Sequence, residues 1–199
     1  MAGTDSTDPS NGYEAVANGF ISGGLRSSVG ASAVRAWAKT LPKGATVLDL
    51  GCGSGVPISQ VIVDEGLTVY GVDASPSMIA AFRKRFPEAA AECLPVEESE
   101  LFGRAFDAVV AWGLLFLLPA DVQARLIAKV STVLKTGGRF LFTSPGQKCE
   151  WSDNLTGQTS RSLGAEAYRR ILAANGLVVE SETEDEGDNH YYFATKRWR

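Results

Sequence analysis

The sequence predicts an α/β domain: a doubly wound, mostly parallel sheet with helices on both faces and an antiparallel β-hairpin strand at the C-terminal end. Three observations predict it. Short apolar runs alternate with amphipathic stretches through most of the 199 residues, as strands and crossover helices do in a parallel sheet. Glycines at 51, 53 and 55 directly follow the first apolar run. The second apolar run ends in a carboxylate, Asp73.

Taken in order, the polar, small-residue stretch from Met1 to Gly12 reads as a flexible tail. It lacks the basic and apolar blocks of a secretory signal. Tyr13 to Lys39 reads as helix in two pieces, broken at Ser22-Gly23-Gly24. Thr46 to Leu50 is a buried strand. Pro57 suits the start of a helix that runs to about Glu65 and stops at Gly66. Leu67 to Val72 is the second strand. Ser75 caps the next helix and Pro76 opens it, with Met78, Ile79, Phe82 and Phe86 on one face and Pro87 as its end. Ala89 to Leu94 is a weak third strand, and Phe106 to Trp112 a strong fourth. Asp121 to Lys135 is an amphipathic helix closed by Gly137-Gly138, and Arg139 to Thr143 is a strand. Ser144 to Leu163 is polar and rich in turn formers; it reads as a long loop, a length that in compact domains accompanies function. Gly164 to Asn175 is a helix, and Leu177 to Thr183 with Tyr191 to Thr195 forms the closing hairpin. No linker or internal repeat divides the chain, so a single domain is expected from residue 13 to residue 199.

Composition excludes several classes. Lys+Arg number 19 and Asp+Glu 23, a net charge of −4. Duplex nucleic acid calls for a basic footprint, so no DNA partner is expected. Cys52, Cys93 and Cys149 are an odd set without C-x-x-C spacing. Reduced thiols in the cytoplasm are the expectation, with no disulfide framework and no zinc site. The single histidine, His190, excludes a His-rich metal centre. No apolar run reaches the roughly 20 residues of a membrane helix, so no membrane partner is expected.

The glycine cluster and Asp73 carry the chemistry. Glycines between a strand and a helix permit a tight turn and let a ligand approach the backbone. A carboxylate at the end of the following strand accepts hydrogen bonds from both hydroxyls of a ribose. Together they point to an adenosine-type ligand. The dinucleotide fingerprint G-x-G-x-x-G is absent, which argues against a nicotinamide oxidoreductase.

Five segments stand in a characteristic order: Val47 to Pro57, Val69 to Asp73, Ala91 to Glu97, Phe106 to Trp112 and Leu134 to Leu141. In that order and spacing the chain resembles class I S-adenosylmethionine-dependent methyltransferases, over roughly Tyr13 to Lys196. The resemblance implies a seven-stranded Rossmann-like fold, the cofactor S-adenosyl-L-methionine and methyl transfer. It implies that Gly51, Cys52, Gly53 and Gly55 pass the methionine moiety, with Asp49 near its amino group. Asp73 takes the ribose hydroxyls, and Ala74 and Met78 flank the adenine. Glu92 accepts from the adenine amino group, and Cys93 offers a backbone N–H. Ala111 and Trp112 stand beside the sulfonium, and an N-terminal helix bearing Tyr13, Phe20 and Arg26 caps the cofactor. The fourth strand ends Ala-Trp-Gly-Leu, without the Asn/Asp-Pro-Pro-Tyr/Phe tetrad of enzymes that methylate exocyclic base amines.

The acceptor side follows from topology, because ligands of such sheets bind outside the carboxyl ends of the strands. The expected acceptor is a small molecule. Residues 144–163 and the turn from Glu182 to Asn189 should rim its pocket, with Phe116, Trp151, Tyr191 and Tyr192 as aromatic walls beside Trp112. The acidic run from Glu182 to Asp188 is either a solvated hairpin tip or a negative mouth that attracts a cationic acceptor. His190 is either a general base or a structural residue of the turn. A protein or RNA substrate, or cofactor binding without turnover, are the alternatives. No metal is expected.

Overall fold

The computed structural model describes residues 8–23 and 28–197. Seven strands form one sheet in the order β3-β2-β1-β4-β5-β9-β8: β1 (Thr46–Leu50), β2 (Thr68–Asp73), β3 (Ala90–Cys93), β4 (Phe106–Ala111), β5 (Leu134–Thr143), β8 (Leu177–Glu184) and β9 (His190–Lys196). Neighbours from β3 to β5 pair in parallel, and only β9 runs against the rest. The expected doubly wound sheet with an antiparallel strand near its end is the observed one.

Alternation along the strands builds a core on each face. Leu48, Phe140, Phe142 and Tyr192 point to one face, where α5 (Ala120–Val133) and α6 (Ala165–Ala174) cover them. Val47, Leu141 and Tyr191 point to the other, under α2 (Ala31–Ala38), α3 (Ile58–Asp64) and α4 (Pro76–Arg85). Both stripes are shut off from solvent, which is why the central strands read as continuous apolar runs.

Three expectations change. Helix α5 ends at Val133, and the chain enters β5 directly. The β4–β5 ladder pairs Phe106 with Leu134 and then Ala108 with Arg139, so residues 135–138 bulge out of the strand. Gly137 and Gly138 serve that bulge rather than a helix end. Residues 144–163 are not a loop: β6 (Lys148–Ser152) and β7 (Thr159–Leu163) form a separate antiparallel ribbon. The polar stretch read as a tail to Gly12 is, from Asp8 onward, a hydrogen-bonded turn. Asp8 accepts from the N–H and Oγ of Ser10 and from the N–H of Gly12, at 2.9, 2.7 and 3.1 Å. Helix α1 (Tyr13–Ser22) follows at once.

Strand order reverses between β1 and β4. The segments leaving these two strands diverge to opposite sides, and a crevice opens above their carboxyl ends. No helix among the described residues is long and apolar enough to cross a membrane.

Candidate active site

The crevice is a cavity of about 530 Å³. Its floor is the turn after β1. Gly51 and Cys52 both donate N–H to the carbonyl of Val72, at 2.8 and 3.1 Å, which holds the turn against β2. The next N–H, of Gly53, donates to Oδ2 of Asp73 at 2.8 Å, and the N–H of Ser75 donates to Oδ1, also at 2.8 Å. Asp73 is thus clamped by backbone on both oxygens while it lines the cavity. Burial pushes its carboxyl above the ordinary value, against the pull of those two N–H bonds. Asp49 lies deeper, 1% exposed, and takes a 2.5 Å hydrogen bond from Ser59 Oγ. Burial, with the charge of Asp73 adding to it, pushes its carboxyl up to about 7. Ala74 and Met78 continue the wall from the start of α4.

The N-terminal segment roofs this half. Glu14 accepts from the N–H and Oγ of Ser77, at 3.1 and 2.6 Å, and from Ser75 Oγ. These bonds hold its carboxyl below the usual range. A negative side chain thereby caps α4 and ties α1 beside Asp73. Tyr13 lines the cavity and donates its hydroxyl to Asp153 Oδ2 at 3.2 Å. That bond spans from the roof to the tip of the β6–β7 ribbon.

The opposite wall is aromatic. Trp112, Phe116 and Trp151 all line the cavity. Phe116 and Trp151 meet with ring centroids 5.5 Å apart, tilted by 45°. Trp112 donates from Nε1 to the Tyr191 hydroxyl at 2.8 Å, and Tyr191 donates to Asp185 Oδ2 at 2.6 Å.

The structure gathers Tyr13, Asp49, Gly51, Cys52, Gly53, Asp73, Ala74, Met78, Trp112, Phe116 and Trp151 around the cavity. Arg26 lies outside the described residues. Other expected site residues are placed elsewhere. Gly55 is not on the wall; a Cβ there would come within 2.3 Å of Phe86. Glu92 accepts a hydrogen bond from Ser99 Oγ at 2.5 Å, and neither Glu92 nor Cys93 reaches the wall; Pro95, Val96 and Glu97 stand there instead. Ala111 is fully buried in the core. Tyr191 stands one bond behind the wall. Tyr192 is stacked on Phe142, centroids 4.5 Å apart, within the sheet's other face.

His190 is also off the wall. Its Nε2 meets Glu182 at 2.8 Å and its Nδ1 meets Glu184 at 3.3 Å, both on β8, and its ring rests over Gly146. Held between two carboxylates on the hairpin, it stands off the cavity wall. The acidic tip contributes only Asn189.

The wall residues that the sequence reading misses include the ribbon tip, Asp153, Asn154 and Leu155, and the turn before α1, Pro9 to Asn11. The signal was present as Asp153-Asn154-Leu155-Thr156-Gly157 between two segments able to pair. Among the described residues, no group of three or more His, Cys, Asp or Glu is placed to hold a metal ion.

Comparison with known proteins agrees with this geometry. Residues 47–138 match the methyltransferase domain family. Over that segment the chain is similar to methyltransferase domains, and its seven-stranded sheet has the Rossmann-like fold of solved methyltransferases. That match covers β1 to the bulge of β5, the strands that build the cavity floor. An uncharacterized methyltransferase of Schizosaccharomyces pombe is 38% identical over 101 residues, 48% of this chain and 38% of the relative. A ubiquinone biosynthesis O-methyltransferase of Coxiella burnetii is 31% identical over 106 residues, 51% of this chain and 44% of the relative. The chain thus spans less than half the length of either relative. Among solved structures, a Burkholderia thailandensis 1,6-didemethyltoxoflavin-N1-methyltransferase, bound to its substrate and S-adenosylhomocysteine, superposes with a TM-score of 0.76 at 20% identity. It covers all of this chain, with 92% of its own length matched. The [4+2]-cyclase SpnF superposes equally well, with a TM-score of 0.76 at 18% identity and 97% of each chain covered. This fold therefore serves proteins of more than one chemistry.

Proposed function

We propose that this chain transfers a methyl group from S-adenosyl-L-methionine to a small-molecule acceptor. One observation carries the reading: a single cavity joins the glycine turn and the backbone-clamped Asp73 to an aromatic wall. The residues present fit the cofactor. Asp73 spends one acceptor position per oxygen on backbone and keeps others for two ribose hydroxyls. Ala74 and Met78 offer apolar contact for a base, and Asp49 a buried carboxyl near the turn. The volume lies in the usual range for cofactor and ligand pockets, about 300–1,000 Å³.

The bound cofactor supplies an electrophilic methyl on a positively charged sulfur. What this chain adds is alignment and the exclusion of water. Trp112, pinned by Tyr191, and the Phe116–Trp151 pair fix an acceptor from one side. The roof of α1 and the ribbon tip closes the other, through the Tyr13–Asp153 bond. The toxoflavin-type substrate of the Burkholderia enzyme and the ubiquinone precursor implied by the Coxiella relative's name support a small acceptor.

The test is a titration followed by transfer. S-adenosylhomocysteine should bind the full chain by calorimetry, and Asp73→Ala should weaken it at least about 30-fold, the loss of two charge-assisted hydrogen bonds. Labelled methyl from S-adenosyl-L-methionine should then pass to members of a small-molecule panel. Label found only in protein or RNA would overturn the acceptor class. Binding without any transfer would favour the cofactor-binding alternative.

A further inference from the structure

The acceptor half of the cavity has fixed aromatic walls and a one-sided charge. Trp112 is held on two sides. Its Nε1 donates to Tyr191, and Gly30 stands so close that a Cβ there would come within 2.5 Å of the same nitrogen. Phe116 and Trp151 brace each other across 5.5 Å. A flat ring entering here meets faces that need no reorganisation.

The titratable carboxyl groups on the wall, among the described residues, belong to Asp49, Asp73, Glu97 and Asp153. Among the described residues no Lys, Arg or His lines it. On the acceptor side the charge belongs to Asp153. Its Oδ1 accepts from the N–H groups of Leu155 and Thr156, both at 2.9 Å, and from Thr156 Oγ1 at 3.1 Å. Its Oδ2 accepts from Tyr13 at 3.2 Å. All four donors are neutral, so they hold the carboxylate in place without cancelling its charge. An anion drawn in here loses its water and, among the described residues, finds no cationic side chain on the wall to pair with. A neutral ring loses nothing by the same route, and a cationic one gains from both the carboxylate and the aromatic faces.

We infer that the acceptor is a planar aromatic molecule bearing no negative charge, a heteroaromatic or arylamine rather than a carboxylate or phosphate ester. This rests on the methyltransferase reading above and narrows it.

Two shape-matched probes test it: 2-aminonaphthalene, neutral near pH 7, and 2-naphthoate, anionic. Each is titrated by calorimetry into the full chain saturated with S-adenosylhomocysteine. The amine should bind at least about tenfold tighter than the carboxylate, the effect of one unpaired like charge in a partly desolvated site. Asp153→Asn keeps an acceptor oxygen for the ribbon turn and removes the charge. It should shrink that ratio to below about threefold by improving naphthoate binding. Trp151→Ala should weaken the amine, and Phe116→Leu offers the same readout with a smaller change in packing. Naphthoate binding as tightly as the amine, or neither probe binding, overturns the inference. The two failures are separable. If S-adenosylhomocysteine binds normally and the amine preference is missing, only the acceptor class falls. If S-adenosylhomocysteine itself does not bind, the methyltransferase reading falls with it.

Discussion

Asp49 and Asp73 lie near the carboxyl ends of adjacent strands, yet they answer to different forces. Asp73 is anchored by two backbone N–H groups, whereas Asp49 has one hydroxyl and a surround of core. The folded state therefore keeps a proton on Asp49 up to about pH 7, while an unfolded aspartate releases it near 3.8. Between those values the native state binds more protons than the unfolded one, so stability falls as pH rises and levels off above about 7. Asp49→Asn keeps an acceptor for Ser59 and carries no charge. It is expected to match the parent near pH 4 and to exceed it near pH 8, by at most about 4 kcal/mol. Urea unfolding at the two pH values checks this, and a pH-independent difference would sink it. The neighbourhood of these acids was legible in the sequence because turn glycines and strand-end carboxylates act within a few residues of each other. His190, Tyr191 and Tyr192 were not. Alternation tells which face a strand residue takes, but only tertiary packing decides whether that face meets a cavity, as beside Trp112, or a closed stack, as at Phe142. Glu92 failed for the same reason, since Ser99 claims its carboxylate from a turn seven residues on.

The β6–β7 ribbon is the element that the sequence hid. Its strands carry few aliphatic residues, and only Ser160 and Ser162 of β7 are buried. Hydrophobic periodicity has little to report there, and its order comes from buried polar bonds instead. Gln123 of α5 donates to the carbonyls of Leu118 and Arg161, at 2.9 and 3.1 Å, and accepts from the Tyr168 hydroxyl at 2.6 Å. That hydroxyl also meets Ser144 Oγ and the Leu163 N–H, at 2.8 and 3.2 Å. One side-chain amide and one phenol thus fasten the ribbon to a helix and to the end of β5. Gln123→Leu keeps most of the volume and strands those partners, for an expected loss of about 1–3 kcal/mol. Amide exchange of residues 159–163 should accelerate more than that of β4; uniform acceleration would show that the network supports the core at large and not the ribbon. Because Asp153 and Trp151 ride on this ribbon, the same variant should weaken acceptor binding before it weakens the cofactor.

At the scale of the molecule, the sheet order and the cavity are one fact, because the reversal between β1 and β4 is where the strand ends part. Alternating apolar runs made that topology legible. The bulge at residues 135–138 was not, because paired glycines after an amphipathic stretch mark a helix end as readily as a break in a ladder. The position of β9 has a consequence for synthesis. It is made after β8 but lies inside it, paired with β5 over Arg139 to Thr143 and with β8 over Leu177 to Glu184. A ribosome that has delivered everything through Asn189 has produced a sheet with its β5 edge bare and β8 unattached, and Phe140, Phe142 and Leu141 behind that edge are half-covered. A chain stopped after Asn189 should therefore be insoluble or rapidly cleaved, and a soluble, protease-resistant product would refute this. Until residues 190–196 emerge, the nascent protein displays an open strand of the kind that recruits chaperones or neighbouring chains.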